Sequence, residues 1–461
     1  MDSNPYYKIA YANWRYFMKL ADHPTVKAYR DGKINSPKPP AILEAVHLKK
    51  MALAAGADDA GLVDLARDAM TDYRQDLLGA MTDTQSVMTL IFRVNQNHLR
   101  SLSHSVADHE LKQVWTEANH IARQLVIELR QNGIKALNMP AGFPYEATRW
   151  PGKMWLTCDK VFAVEAGLGH MGYNRLVLHP TFGAGVILGS ILLAGACDQY
   201  DQPLDFNPCI ECGLCLKVCP VGAVKKTDDF NFMACYSHNY RERLGGFQNW
   251  VEQVADSKSH ADYRHRVSDA ETISMWQHLA IGAQTRCDRC MAVCPAGEAA
   301  IGEYLDDRKA YTNQYLKKFR DLAETIYVVK GSDAEQHVQA NFPAKQAKII
   351  SNGIRPNSAA NFLESLPLVF QPGQAEGLDT VYHFTFTGIE QLEGTVVIRD
   401  KSLAVQEGLE GDSDLHVTAD SQTWIKFLSK EVNLVKALAT RKIKIKGSPK
   451  LMMAFAKCFP S

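Results

Sequence analysis

Residues 209–220 read Cys-Ile-Glu-Cys-Gly-Leu-Cys-Leu-Lys-Val-Cys-Pro, and the rest of the 461-residue chain is interpreted around them. They space four cysteines as C-x2-C-x2-C-x3-C-P, the pattern that wraps a cubane iron–sulfur cluster and whose fourth cysteine ligates a different cluster. A second set of ligands is therefore required. Cys287, Cys290 and Cys294-Pro295 form a C-x2-C-x3-C-P run, and Cys235 lies between the two runs.

The cysteine count closes for two [4Fe-4S] clusters, because eight thiolates are needed and the runs supply four, one and three. Each run's last cysteine is expected to cross over to the other cluster. The competing interpretations are zinc knuckles, which prefer paired C-x2-C groups, and disulfides, which suit short secreted chains. The predicted ligands are Cys209, Cys212, Cys215 and Cys294 for cluster one and Cys219, Cys235, Cys287 and Cys290 for cluster two, which leaves Cys158, Cys197 and Cys458 as buried thiols.

Charge and hydropathy predict a cytoplasmic protein without a nucleic-acid partner or a membrane span. Lysine plus arginine and aspartate plus glutamate both number 51, so no attraction to nucleic acid or an anionic membrane is expected. The N-terminus lacks the basic and apolar regions of an export signal. The most apolar stretch, residues 183–197, is too short for a transmembrane helix and contains four glycines, so it predicts a buried strand.

Hydrophobic periodicity divides the chain into five parts. Helical and strand patterns alternate in the second part, which predicts an α/β domain with helices packed on a sheet. Within it, residues 86–94 suit a strand buried on both faces, and Asp108 is expected to cap a helix that ends near Gly133. The parts are an N-terminal arm (residues 1–40), the α/β cofactor domain (residues 41–200), a ferredoxin-like two-cluster module (residues 201–305), a linker helix (residues 306–342) and a C-terminal domain (residues 343–461).

The C-terminal domain is predicted to be α+β with one sheet face in solvent. Tyr382, Phe384 and Phe386 alternate with other residues at the two-residue period of a strand. The predicted strands are residues 381–387, 394–399, 402–407 and 414–418, and two helices flank a further alternating segment at residues 441–446.

Glycines are dense between residues 166 and 189. Gly167, Gly169 and Gly172 match G-x-G-x-x-G, but the acid that a dinucleotide loop needs about twenty residues later is missing. Glycines at this density indicate that something large approaches the backbone. The alternative is that they shape tight turns in a ferredoxin-like protein. The candidate cofactor-binding residues are Gly167, Gly169, Gly172, Tyr173, Asn174, Gly183, Gly185 and Gly189.

The Ala-Gly-Leu-Gly-x-x-Gly segment at residues 166–172, the glycines of residues 183–189 and the order of the cysteine runs resemble the cobalamin-dependent iron–sulfur reductases, the epoxyqueuosine reductases and reductive dehalogenases. The resemblance covers residues 41–305. It implies an oxidoreductase with bound cobalamin, two [4Fe-4S] clusters that reduce it, and a flavodoxin or ferredoxin-type electron donor.

Departures from that family bear on the substrate. Epoxyqueuosine reductases carry a catalytic Asp thirteen residues before the Ala-Gly-Leu-Gly segment, where this chain has Lys153. We therefore expect a substrate other than epoxyqueuosine. The proton donors of the reductive dehalogenases are Tyr, Lys and Arg. The candidate catalytic residues here are Lys153, Asp159 and Tyr145, followed by Tyr173, Tyr240 and His278.

The fifty-one residues between Cys235 and Cys287 are long for a ligand spacer and rich in aromatic side chains. Long insertions in compact domains are often lids or binding elements. Two interpretations remain open, a lid over the cofactor and an extra pair of helices packed on the body.

The tail resembles the lipid-binding domain of sterol carrier protein type two, in Phe-Thr-Phe-Thr-Gly at residues 384–388 and Ile-Lys-Ile-Lys-Gly at residues 443–447. The resemblance implies an apolar tunnel, which residues 451–455 either line or close as core. The sequence as a whole predicts a cytoplasmic oxidoreductase that passes electrons through two clusters to cobalamin and reduces a small or lipophilic substrate. The alternative is a non-catalytic electron carrier with a lipid-binding tail.

Overall fold

The computed structural model describes residues 18–34, 40–226, 230–282 and 285–460. Much of the predicted N-terminal arm therefore lies outside the described residues. Its described part contains the short helix α1, Pro24–Arg30, which has no buried residue.

The first domain contains a four-stranded sheet in which every pairing is antiparallel. Its strands are β1 (Asp59–Asp64), β2 (Ser86–Arg93), β3 (Ala136–Asn138) and β6 (Val186–Leu193), while β4 (His170–Met171) and β5 (Val177–Leu178) form a separate ribbon. The sheet order is β1-β2-β6-β3. β2 is buried from Ser86 to Phe92, and β6 occupies the middle of residues 183–197, so both predictions of a buried strand are confirmed.

Helices cover both faces of this sheet. Leu90 of β2 packs in one core with Leu48 and Leu125, whereas the next residue, Ile91, packs in a second core with Leu77 and Phe162. This alternation follows from the two-residue period of a strand. The helices of the domain are α2 (Ala45–Ala55), α3 (Thr71–Ala80), α4 (Gln96–Leu99), α5 (His104–Gln131) and α6 (Asp159–Glu165).

The long helix α5 begins earlier than the sequence predicts. It starts at His104 after Ser103, so the expectation that Asp108 caps it is wrong. The Asp108 carboxylate instead accepts a hydrogen bond from the backbone N–H of Thr285 at 2.6 Å. Asp108 is a residue type that suits a helix cap, but here its hydrogen bond links the first domain to the segment that precedes Cys287.

The cysteine module consists of short helices joined by loops. Its helices are α7 (Leu214–Val218), α8 (Phe232–Asn239), α9 (Gly245–Ala255), α10 (His260–Arg266), α11 (Asp269–Ile281), α12 (Arg289–Ala292) and α13 (Glu298–Asp306). Three of them, α9 to α11, form the insertion between Cys235 and Cys287.

The predicted linker helix at residues 306–342 is only partly helical, and this prediction is corrected. The segment contains α14 (Arg308–Tyr311), a π-helical turn (Thr312–Lys317), α15 (Lys318–Asp321), β7 (Thr325–Val329) and α16 (Asp333–Asn341). β7 pairs in parallel with β8 (Gln346–Ile350) across the predicted boundary at residue 343. Ile326 and Val328 pack in one apolar cluster with Cys215 and Cys219, so the strand shields the cysteine module.

The C-terminal domain is a five-stranded sheet covered by helices. Its elements are α17 (Ala359–Val369), β9 (Asp379–Thr387), β10 (Leu392–Arg399), β11 (Ser402–Glu407), β12 (Leu415–Asp420), α18 (Ser421–Leu428), α19 (Leu434–Ala439), β13 (Ile443–Gly447) and α20 (Pro449–Cys458). The order is β11-β10-β9-β12-β13, with β9 and β12 parallel. These elements confirm the predicted strands to within a few residues.

The core of this domain is aromatic. Trp424 is 1% exposed and packs edge-on against Phe362, Phe384 and Phe386. Phe455 of α20 is buried in the same core, whereas Met453 is 60% exposed, so the segment at residues 451–455 does not face one environment. Among the described residues, no helix combines the length and apolarity needed to cross a membrane.

Candidate iron–sulfur and cofactor site

The first predicted cysteine set lines a single cavity. Three of its members come from the first run and the fourth from the last run, so the cavity contains the crossover that the spacing predicts. Gly213, in the left-handed region with φ 71°, turns the chain between two of them. The set comprises Cys209, Cys212, Cys215 and Cys294.

The second predicted set gathers around α8 and α12. Burial raises the pKa of Cys290 well above its ordinary value, and the nearby thiols of Cys287, Cys235 and Cys219 raise it further. Cys215 of the first set also contributes to this increase. The two sets are therefore electrostatic neighbours, as two clusters with interleaved ligands must be.

Both sets provide the surroundings that iron–sulfur ligands need. Burial raises the pKa of Cys215 and Cys294 to about 12, and neighbouring thiols add to it. Iron atoms supply the positive charge that thiolates in such surroundings require. The backbone N–H groups of Leu216 and Ala296 donate to these two sulfurs, an interaction that tunes cluster potentials. The residues present therefore fit two [4Fe-4S] clusters.

The two sets differ from a site for a single metal ion. In a cubane each thiolate binds a different iron atom, so four sulfurs surround the cluster without meeting at one point. Within the described ranges, no three His, Cys, Asp or Glu side chains are grouped to hold one ion.

The three cysteines outside the sets are all free thiols. Cys197 and Cys458 are buried, as predicted, whereas Cys158 is only partly buried. Cys158 hydrogen-bonds Tyr73, and burial together with this thiol raises the pKa of the Tyr73 phenol to about 12.

Most candidate glycines contact the protein itself. A Cβ atom at Gly167 would lie 2.3 Å from the Gln202 carbonyl oxygen, and one at Gly169 would lie 2.5 Å from the Leu178 carbonyl oxygen. Gly172 is similarly close to the Leu178 side chain, whereas Gly185 and Gly189 have only ordinary van der Waals neighbours. The close approach at Gly167, Gly169 and Gly172 is thus chain against chain, and the contact of a cofactor with the candidate glycines stays a prediction.

Gly183 positions a cysteine of the first set. It has φ 59°, and a Cβ atom there would lie 1.9 Å from the carbonyl oxygen of Ala296, two residues after Cys294. The neighbouring Ala184 N–H donates to the Cys294 sulfur. Gly183 therefore seats the segment that carries the crossover ligand.

Tyr173 and Asn174 lie beside the cysteine sets. Both line the cavity of the first set, and the Asn174 side-chain amide donates to the carbonyl oxygen of Cys290 at 3.4 Å. Asn174 thus bridges the two sets.

The start of α6 lies beside the second set. Asp159 is partly exposed, and burial raises its pKa to about 6 although the Ser190 hydroxyl donates to it at 2.6 Å. Lys160 keeps solvent access, yet its surroundings lower its pKa while the thiols of Cys158 and Cys235 oppose that change.

Arg243 is surrounded by aromatic rings, a group called the aromatic pocket below. It is 4% exposed, and its guanidinium lies 4.3 Å from the ring centroid of Tyr240 and 5.0 Å from that of Phe143. The charge of Arg243 also affects the pKa values of Tyr145 and His278, which burial raises and lowers respectively. The structure therefore brings together three predicted catalytic candidates around an arginine that was not predicted.

Lys153 lies apart from these three residues. Its ammonium is 2.9 Å from the Asp76 carboxylate, donates to the Asp72 carbonyl at 2.6 Å and lies over the Tyr73 ring. The Asp76 pKa is lowered, with Arg149 the largest cause and Lys153 a further one. Lys153 is therefore committed to a surface ion pair.

The insertion consists of packed helices, and its role as a lid over a cofactor stays a prediction. α9 to α11 are packed helices, held by buried Arg241, which donates to the Gly246 carbonyl and the Asn249 side chain. Tyr240 and Arg243, just before α9, wall the pocket. The run Arg241-Glu242-Arg243 is buried throughout, and three charges inside an aromatic-rich insertion were the sequence signal for this site.

Two family models match the chain. The 4Fe-4S binding domain matches residues 203–225, and the SCP-2 sterol transfer family matches residues 370–460. These matches confirm a ferredoxin-type cysteine segment and a sterol-carrier-like domain in one chain.

Sequence relatives are epoxyqueuosine reductases. The protein of Lactococcus garvieae is 23% identical over 283 residues, which cover 60% of this chain and 70% of the relative. That of Staphylococcus aureus is 33% identical over 79 residues, 17% of this chain and 20% of the relative. The shared name is that of an oxidoreductase, in agreement with the predicted enzyme class and with the family resemblance at residues 41–305.

Matches among solved structures include a catabolic reductive dehalogenase, at 14% identity and a TM-score of 0.36, covering 59% of this chain and 35% of that chain. Another is an epoxyqueuosine reductase with an epoxyqueuosine-modified tRNA stem loop, at 16% identity and a TM-score of 0.32, covering 55% of this chain and 65% of that chain. The matched region thus spans about a third of the length of the dehalogenase and about two thirds of the length of the epoxyqueuosine reductase.

Proposed function

We propose that this protein is a cytoplasmic reductase in which two [4Fe-4S] clusters pass electrons to a cobalamin bound beside the second cysteine set. The observation that carries the proposal is the grouping of eight cysteines into two neighbouring sets, each completed by a cysteine from the other run. Neighbouring clusters conduct single electrons, and such a path is useful only where it ends at another redox centre. A flavodoxin or ferredoxin-type protein is the proposed donor.

The start of α6 offers polar groups for a corrinoid and for proton transfer. Reduced cobalamin, when bound, supplies a cobalt centre that acts as nucleophile or reductant. Lys160 and Tyr240 are the proposed cofactor-facing residues. Asp159 is the proposed proton donor, because a carboxyl whose pKa is raised to about 6 holds and releases a proton near neutral pH, and the Ser190 hydroxyl orients it.

The proposed substrate is small and partly apolar. Tyr145 and Tyr240 belong to an apolar cluster that continues to Val369 and Phe459 of the C-terminal domain. That domain therefore packs directly behind the pocket, which suits storage or presentation of a lipophilic molecule. Epoxyqueuosine in tRNA is the second candidate, favoured by the name that the sequence relatives share. Lys153 stands at the position where those reductases have their catalytic Asp, and it pairs with Asp76. This difference favours the lipophilic substrate.

Anaerobic reconstitution tests the proposal. Protein loaded with iron and sulfide is incubated with hydroxocobalamin, desalted and analysed for cobalt, and a reduced donor is then added while the corrinoid spectrum is followed. We expect about one cobalt per chain and donor-dependent reduction. The Cys235→Ser variant should retain corrinoid but slow its reduction, whereas Cys458→Ser, outside both sets, should behave as wild type. Full iron content without retained cobalt would instead identify the non-catalytic electron carrier.

A further inference from the structure

Arg243 is a buried cation with unused hydrogen-bonding capacity. Its Nη2 donates to the Thr285 hydroxyl at 3.3 Å, but Nε and Nη1 have no hydrogen-bond partner among the described residues. Buried guanidinium groups are ordinarily paired, because desolvating an unpaired charge is costly. Two such nitrogens on one buried arginine leave room for an acceptor that the described residues do not supply.

The nearby carboxylates are committed to other groups. Glu242 pairs with Arg286 and accepts the Ser274 hydroxyl at 2.9 Å. Asp108 accepts the backbone N–H of Thr285 at 2.6 Å. Both acids lie near Arg243, but neither accepts a hydrogen bond from it. The Nε and Nη1 donors of the guanidinium therefore remain without an acceptor among the described residues.

The surroundings of Arg243 form a pocket with apolar walls. The rings of Tyr240, Phe143 and Trp115 lie 4.3, 5.0 and 5.9 Å from its guanidinium, and each of these residues is partly exposed whereas Arg243 is 4% exposed. These rings reach solvent, whereas Nε and Nη1 of Arg243 do not. His278, whose Nδ1 also has no partner in the described part of the chain, lies close by.

We propose that Arg243 binds the oxyanion of an apolar acid, a carboxylate or phosphate on a flat hydrophobic body, and so selects the substrate of the reductase. Guanidinium groups recognise such oxyanions through charge-assisted hydrogen bonds, and the rings pack on the apolar body. The inference deepens the proposed function and rests on it for its catalytic meaning. The binding step itself requires neither cluster reduction nor turnover.

Binding of 2-naphthoate, 2-naphthyl phosphate and the uncharged 2-naphthamide to the full-length protein tests this site by calorimetry. We expect at least one acid to bind about tenfold or more tightly than the amide, the size of one charge-assisted contact. Arg243→Gln should remove that preference, and Arg243→Lys should retain part of it. Arg264→Gln is the matched control, since this arginine of the same insertion is 64% exposed and pairs with Asp269 at the surface.

Two outcomes would overturn the inference. Wild-type protein that binds the amide as tightly as both acids has no oxyanion site, and this result does not depend on how any variant folds. Acid binding that is abolished by saturating hydroxocobalamin would assign the Arg243 site to the corrinoid phosphate instead of a substrate. Acid binding that persists in protein without retained cobalt would support the site while the proposed reductase function fails, so the two proposals fail separately.

Discussion

Asp159 should destabilise the folded protein at neutral pH. Burial raises its pKa from 3.8 to about 6, so its charged form costs about 3 kcal/mol in the folded state, at about 1.4 kcal/mol for each pKa unit. Because the side chain keeps some solvent access, we expect roughly half of this cost to the whole of it. The group's folded-state pKa exceeds its unfolded value, so its contribution is most favourable below pH 3.8 and is lost as the pH rises through about 6.

Asp159→Asn keeps an oxygen that can accept from Ser190 but removes the charge. We expect it to stabilise the protein by about 1.5–3 kcal/mol at about pH 7.5, and by roughly half as much at about pH 5. Thermal unfolding followed by circular dichroism should show a rise of about 2–4 °C for each kcal/mol. The exposed Asp205→Asn is the control and should change neither value. A variant that is less stable than wild type at about pH 7.5, or equally stabilised at both pH values, would refute this account of Asp159.

Three further substitutions probe the frame of the site. Gly183→Ala should reduce bound iron by about half, because the new Cβ atom would collide with the Ala296 carbonyl. The control Gly79→Ala, whose new Cβ atom would have no atom within 4 Å, should leave the iron content unchanged. Equal iron content in both variants would contradict the role of Gly183 in positioning Cys294. Glu324→Gln should lower the free energy of unfolding by about 3–5 kcal/mol in denaturant titrations, since this carboxylate pairs with both Arg289 and Lys345; a change below about 1 kcal/mol would count against that network. Trp424→Ala should cost about 3–5 kcal/mol in the C-terminal domain and leave iron content unchanged; loss of iron would show that the domains do not fold separately.

Spacing made the cysteine module predictable. The predicted ligands Cys209, Cys212 and Cys215 follow locally from the C-x2-C spacing, and the predicted crossover of Cys294, which lines the same cavity, follows from the chemistry of paired clusters. The unbroken apolar run of β2 and the alternating pattern of β9 were predictable for the same reason, because each is a local periodicity.

Features that depend on distant contacts were not predictable. Gly183 carries a cofactor-like signal, but its reason is the Ala296 carbonyl more than a hundred residues later. Asp108 has the chemistry of a helix cap, yet its partner is the Thr285 N–H. Arg243 was missed because burial of a charge is a property of the folded chain, and only three consecutive charged residues marked it in the sequence.

Iron and acid-labile sulfide content of anaerobically purified protein tests the central claim most directly. Two [4Fe-4S] clusters predict about eight iron atoms and eight sulfides per chain, and Cys294→Ser should perturb the cluster of the first run although it lies in the last. Zinc in place of iron, or a Cys294→Ser variant whose first-run cluster is spectroscopically unchanged, would contradict two clusters with exchanged ligands.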